Sequence, residues 1–187
     1  MELDAGEIIE VFMVGPDSML GALAASGLAS GNVGTTVVLP GFASIIDVDR
    51  LRVTAEQSVD LSKALSRYGQ SVMIQSQQAV TCKAVHAVEA RLARWLLEVR
   101  DLSGRDRFMM TQEMMAQMIG ARSNSISIVA HTLEQEDCIS YSRGYVEITD
   151  PVSLSKIACK CYSAIRAQHE SLLRDTERSF ECREVSC

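Results

Sequence analysis

Four polar residues and an arginine crowd one short stretch: Arg122, Ser123, Asn124, Ser125 and Ser127. Amide and hydroxyl side chains at the start of a helix suit base edges and phosphate oxygens, and an asparagine can pair with N6 and N7 on the major-groove edge of an adenine. Arg122 and Arg143 add cations that suit phosphate, and Thr111 and Gln112 open the segment before this one. Other chemistry is thinly represented. His86, His131 and His169 sit in different segments with no nucleophile partner in reach of the sequence, and no Gly-rich phosphate loop or zinc helix motif is present. An enzyme is therefore the reading ranked lowest, with no catalytic residue assigned. The six cysteines are Cys82, Cys138, Cys159, Cys161, Cys182 and Cys187. The Cys159–Cys161 spacing does not match the usual zinc pairs, so the cysteines read as structural free thiols with no metal or cofactor assigned, and a redox or metal-sensing role is the alternative.

Positioning those polar residues requires two helices and a sharp turn. Thr111 is a good N-cap, Gln112 to Ile119 are strong helix formers, and Gly120 breaks the pattern. A second helix is predicted from about Ser123, as N-cap, to Gln135. Helices joined so tightly must cross steeply. Ala116 must then be small, Gly120 must accept a positive φ, and Met115, Ile119, Ile126 and Val129 must be apolar to fill the gap. All six conditions hold together. Ile139 and Tyr141, then Val146 and Ile148, alternate with polar neighbours around Arg143-Gly144, which predicts a hairpin with Arg143 at its tip, read as a wing. Asp150-Pro151 ends it, and Val152 to Arg178 reads as a final helix.

Upstream, Val59 to Arg100 holds one glycine, Gly69, and no proline, which predicts a long helix broken near Gly69. Leu61, Leu65, Tyr68, Val72, Gln75, Ala79, Cys82 and His86 alternate steps of four and three, the seam of two packed helices. Such a seam fits either a second chain or the helix's own domain. The former is preferred, because the preceding β-rich piece is too small to cover so long a helix. That piece shows β-prone runs at Ile8–Val14, Thr35–Leu39 and Ala43–Val48, and a short helix at 49–57. A charged link at Asp101–Asp106 marks a boundary.

The bulk numbers permit this picture. The 187 residues suffice for one ample or two small domains, and 47% hydrophobic with 22% charged residues is a globular composition. Formal net charge is -6, but residues 1–90 carry 5 basic and 10 acidic residues, whereas residues 91–187 carry 13 and 14. The half with the polar helix start is thus near neutral and open to a polyanion. No apolar run is long enough for a membrane span and the acidic start lacks a secretory signal, so a cytoplasmic protein is expected.

The segments Glu89-Ala90-Arg91-Leu92-Ala93-Arg94-Trp95-Leu96-Leu97, Thr111-Gln112-Glu113 to Gly120, and Ile139 to Asp150 resemble the Crp–Fnr superfamily of transcription regulators. Ala158-Cys159-Lys160-Cys161-Tyr162 is similar to a proteobacterial branch of it, and Val14 to Gly21 resembles the middle of its sensor domain. The resemblance implies an α+β chain in three parts. These are a partial β-roll, cyclic-nucleotide-binding-like sensor domain at 1–57, a long dimerisation helix region at 58–100, and a C-terminal winged helix-turn-helix at 101–187. It further implies a homodimer on a near-palindromic site in double-stranded DNA, with RNA polymerase a candidate further partner. DNA contacts are expected at Thr111, Gln112, Arg122, Ser123, Asn124, Ser125, Ser127 and Arg143.

Departures from the family pattern shape the expectation. Strands that should precede Ile8 are missing, so the chain is expected to start inside the sensor domain. Gly21 is followed by Ala22 rather than an acidic ribose ligand, and Asn32-Val33-Gly34 offers no cation for a cyclic phosphate. Cyclic AMP is therefore not expected to bind, and the effector is open. No cysteine precedes Cys82, so the N-terminal iron–sulfur ligands of the oxygen-sensing branch are missing. Ser123, Asn124 and Ile128 replace the usual Arg-Glu and second Arg, so a different operator is expected. An alternative is an interaction protein whose incomplete sensor forms inactive dimers with a longer relative.

Overall fold

The computed structural model describes residues 9–16, 18–26, 34–168 and 170–171. A 3-10 turn, Ala22–Ser26, precedes α1 (Val48–Gln57), α2 (Val59–Val85) and α3 (Val88–Ser103). Then follow β1 (Arg107–Met109), α4 (Gln112–Ile119), α5 (Ser123–Gln135), β2 (Ile139–Ser142), β3 (Tyr145–Ile148) and α6 (Pro151–Ile157). The strands form one antiparallel sheet in the order β1-β3-β2, with Phe108 opposite Val146 and Ile139 opposite Ile148.

The core sits in the C-terminal half. Residues 91 to 99 of α3 are all buried, and Leu92, Trp95, Leu96 and Leu97 meet Met115, Ile119, Ile126, Leu133, Val146 and Leu154. Burying a large apolar side chain contributes about 1.5–3 kcal/mol, so this cluster dominates the stability of that half. Packing joins α3 to α4, α5 and α6. A division after Arg100 therefore falls inside the last turn of α3 and parts most of that helix from the elements that cover it.

Several expectations change. No strand occurs among the described residues before β1: neither the runs at Thr35–Leu39 and Ala43–Val48 nor the described part of Ile8–Val14 is one. A strand needs a ladder partner, and none is supplied here. Val37, Phe42, Ile45 and Ile46 consequently stay exposed. Instead, the segment near residue 10 lies along the C-terminal half, where the Glu10 amide donates to the Met118 carbonyl at 3.2 Å. The β-roll is thus at most partial.

The long helix runs unbroken through Gly69. That residue serves packing: a Cβ there would meet Leu23 Cδ2 at 3.1 Å. The break falls at His86–Ala87, where both residues turn extended. Likewise, the final helix stops at Ile157, and a further helical stretch starts at Cys161 after a turn at 158–160. The rest of the expected helix, with His169, Cys182 and Cys187, lies outside the described residues, as do Asn32 and Val33. β1 was missed because three residues carry no readable alternation.

Candidate nucleic-acid interface

α4 begins as its residues require. The Thr111 hydroxyl accepts a hydrogen bond from the Met114 amide at 3.1 Å, closing the helix start. It ends at Gly120, whose φ of 62° is left-handed; the Gly120 and Ala121 amides return to the Gln117 and Ala116 carbonyls. Those bonds satisfy carbonyls that a helix end leaves open, at a backbone angle that costs other residues about 1–2 kcal/mol. Arg91 of α3 seals the same corner. Its guanidinium donates to the Ile119 carbonyl at 2.8 Å and also to the Lys83 carbonyl at 3.2 Å. Three helix ends therefore meet on one buried side chain.

α5 starts two residues after the Gly120–Ala121 corner. Arg122 occupies the N-cap position without a side-chain hydrogen bond, and Ser123 is the first helical residue rather than the cap. The N-terminal amides of α5 thus lack that protein acceptor, and a helix start of this kind favours anions. Ile126, Ala130 and Leu133 face the core, with Val129 half-buried beside them. Ala116, Met115 and Ile119 are buried as the crossing demands.

On the opposite side, Ser123, Asn124, Ser127, Ile128 and His131 are exposed, spaced to share one face of the helix. Arg122 is exposed beside them, whereas Ser125 is half-buried at the edge. Two members of this face escaped the sequence reading as contacts. Ile128 is 70% exposed, an apolar group on a polar face. Its signal was the strict spacing from Asn124, and the same spacing adds His131. Thr111 and Gln112 lie half-buried at the start of α4, with the Thr111 hydroxyl already accepting.

β2 and β3 form the expected hairpin. Arg143 and Gly144 both have positive φ, 50° and 79°, the two-residue turn that matches strand twist. Arg143 is exposed at its tip. Arg107 lies on the Tyr145 ring, 4.9 Å from its centre, and adds a second cation beside the hairpin.

Behind the interface lies a charged layer. Arg94 and Glu98 pair at 2.6 Å, both nearly buried. Burial pushes the Glu98 carboxyl up to about 7, against the opposing pull of Arg94. Its Oε1 atom has no hydrogen-bond partner among the described residues. Burial likewise raises Glu10, whose carboxylate accepts the Trp95 indole N–H. Glu10, Arg94 and Glu98 line a cavity of about 120 Å³ with Met13, Gln75 and Tyr162.

A separate constellation was not foreseen. Cys82, His86, Cys159 and Cys161 come together where α2 ends and the chain leaves α6, with one ligand atom from each lying within 4.8 Å of all the others. Cys138 stays apart, and all four described cysteines are free thiols. Burial pushes Cys82 up to about 12.

The expected helix-seam residues do not gather at the interface. Leu61, Leu65, Tyr68, Val72 and Gln75 are half-buried along α2, and Ala79 is buried.

Residues 90–157 match the Crp-like helix-turn-helix domain family. No curated protein matches the chain. Among solved structures, FixK2 from Bradyrhizobium japonicum aligns with a TM-score of 0.55 at 12% identity, over 61% of this chain and 60% of that one. A CRP-family transcriptional regulator from Thermus thermophilus aligns at 0.46 and 24% identity, over 50% of this chain and 51% of its own. The chain spans about half the length of such structures. At 12% identity the likeness to FixK2 speaks for the fold alone. No described helix is long and apolar enough to cross a membrane. The two helices flanking Gly120 thus fall inside the segment, residues 90–157, that is similar to a Crp-like helix-turn-helix domain.

Proposed function

We propose that this protein is a transcription regulator of the Crp–Fnr superfamily that binds double-stranded DNA as a homodimer. The observation that carries the reading is the exposed leading face of α5, polar at Ser123, Asn124 and Ser127 and anchored from behind by Ile126, Ala130 and Leu133. Helix-turn-helix proteins present this end of their second helix to base edges in the major groove. Asn124 reads adenine, Ile128 meets a thymine methyl, and Arg122 and the α5 amides hold phosphate. The β2–β3 hairpin is the wing, with Arg143 on the flanking backbone. Thr111 and Gln112 approach phosphate from the start of α4, and Ser125 contributes at the edge.

α2 supplies the dimer contact through Leu61, Leu65, Tyr68, Val72, Gln75 and Ala79. The partial surface that Leu61, Leu65, Tyr68, Val72 and Gln75 keep open supports that role, although Ala79 is buried. The assembly reads a near-palindromic promoter site in the cytoplasm, without cyclic AMP, and works with RNA polymerase. Ala22 at the acidic ligand's position supports the independence from cyclic AMP.

Selection of binding sites from random DNA with the purified chain tests the proposal. A two-fold site with half-sites about one helical turn apart is expected. Asn124→Ala is expected to weaken that site by about 1–3 kcal/mol and to relax one base position per half-site. Recovery of no preferred sequence at low salt would sink the reading. A second reading, inactive dimers with a longer relative, draws on the exposed Val37, Phe42 and Ile45, which a partner would cover. A stable homodimer that binds DNA alone removes it.

A further inference from the structure

We propose that Cys82, His86, Cys159 and Cys161 form a closed tetrahedral site for one zinc ion, which ties the end of α2 to the end of the Crp-like domain. The ligands come from distant parts of the chain. Cys82 and His86 stand four apart, so they share one face of the last turn of α2. Cys159 and Cys161 follow α6, and the Cys159 amide donates to the Ala90 carbonyl at 3.3 Å, which sets this segment against the start of α3.

The distances suit a single small ion. Zinc–thiolate bonds of about 2.3 Å at tetrahedral angles put neighbouring sulfurs about 3.8 Å apart. Cys82 Sγ lies 3.5 Å from Cys159 Sγ, and Cys161 Sγ lies 3.6 Å from His86 Nδ1. A disulfide needs sulfurs at about 2.05 Å, so the Cys82–Cys159 separation is not that of a bond. In an iron–sulfur cluster the four ligands are divided among two or more irons, so those on different irons stand further apart than the 4.8 Å limit seen here. The donor set, three sulfurs and an imidazole without oxygen, favours zinc over magnesium or calcium. Four protein ligands leave no open position, so the site is structural.

The surroundings point the same way. Apart from the main core, the three cysteines form a buried group of their own, with only Ala90 packed against it among partly buried apolar residues. An ordinary apolar core would be filled with leucine or valine. The Gln78 side-chain amide donates to Cys161 Sγ at 2.9 Å, an outer contact that steadies a thiolate ligand. Binding displaces three thiol protons to solvent and leaves a site of formal charge −1. The guanidinium groups of Arg91 and Arg94 lie close enough to act on these sulfurs and offset that charge.

The test is metal analysis of the full chain purified without chelators, followed by zinc removal and cobalt titration. One zinc per chain is expected, and cobalt should give the intense visible bands of a tetrahedral, sulfur-rich ion at one equivalent. Cys161→Ser and His86→Asn should each lose at least half of the bound metal, while Cys138→Ser keeps it all. Chelation should lower the thermal midpoint of the wild type and leave that of Cys161→Ser unmoved. Where a variant fails to fold, the wild-type cobalt titration decides alone. A chain without metal and without tetrahedral cobalt bands overturns the proposal. So does full metal content in both ligand variants, iron with inorganic sulfide, or a native Cys82–Cys159 disulfide. None of these measurements uses DNA, so the outcome stands apart from the proposed regulator function.

Discussion

α2 and α3 are consecutive helices built from similar proportions of apolar residues, yet they live in different surroundings. α3 buries nine residues in a row, Arg91 to Val99, including two arginines and a glutamate. α2 is longer, 27 residues, but buries only Ser71, Ala79 and Cys82, and leaves Met73, Val80 and Val85 exposed. Periodicity alone does not reveal this difference. A helix surrounded on all sides loses its polar face, and its charges must find partners inside. A helix with one covered side keeps surface for something else.

The contrast can be broken most forcefully in α3. Leu96→Ala is expected to cost about 2–5 kcal/mol in chemical denaturation, whereas Val80→Ala on α2 should stay within about 0.5 kcal/mol. Equal losses would erase the distinction. Next, Arg91→Met removes the donor shared by the Lys83 and Ile119 carbonyls. A loss of about 1–3 kcal/mol is expected, with faster amide exchange at the α4–α5 corner than elsewhere. Uniform exchange across the chain would show that Arg91 only fills space.

Glu98 sharpens the comparison through pH. In the fold its carboxyl keeps a proton up to about 7, against 4.5 as its ordinary value. The folded chain therefore binds more protons between those limits. This contribution to stability is fully present below about pH 4.5 and is lost as pH rises through 7. The stability of wild type relative to Glu98→Gln should accordingly fall across that window, by an amount on the order of 3 kcal/mol. A flat difference would mean that Arg94 already holds the carboxylate charged. The smallest effect on chain stability is expected from α2. Val72→Glu should shift sedimentation toward the monomer, and Met73→Glu, on the other side, should not. The reverse result would move the dimer contact to the exposed face.

The helix-turn-helix was legible nearly to the residue, because its constraints are local and steric. A small residue at 116, a left-handed corner at 120 and apolar residues at 115, 119 and 126 must coexist within one short segment. The Arg143-Gly144 turn was legible for the same reason. The Cys82, His86, Cys159 and Cys161 cluster was not, since 77 residues separate its halves and only tertiary packing brings them together. Gly69 misled, because a glycine tolerated inside a helix looks like a break. The true break at His86–Ala87 carries neither glycine nor proline. The β-prone runs before residue 48 misled in another way: propensity describes a strand's own residues, not the neighbour it must pair with.

The break at His86–Ala87 has a geometric consequence. At 1.5 Å per residue, α2 is a lever about 40 Å long with its fulcrum at that joint. A swing of about ten degrees there carries the far end roughly 7 Å sideways. Recognition helices of a symmetric pair must stand about 34 Å apart to meet successive turns of a duplex. In the proposed dimer, stiffness at a single pair of residues would govern whether two copies match that spacing.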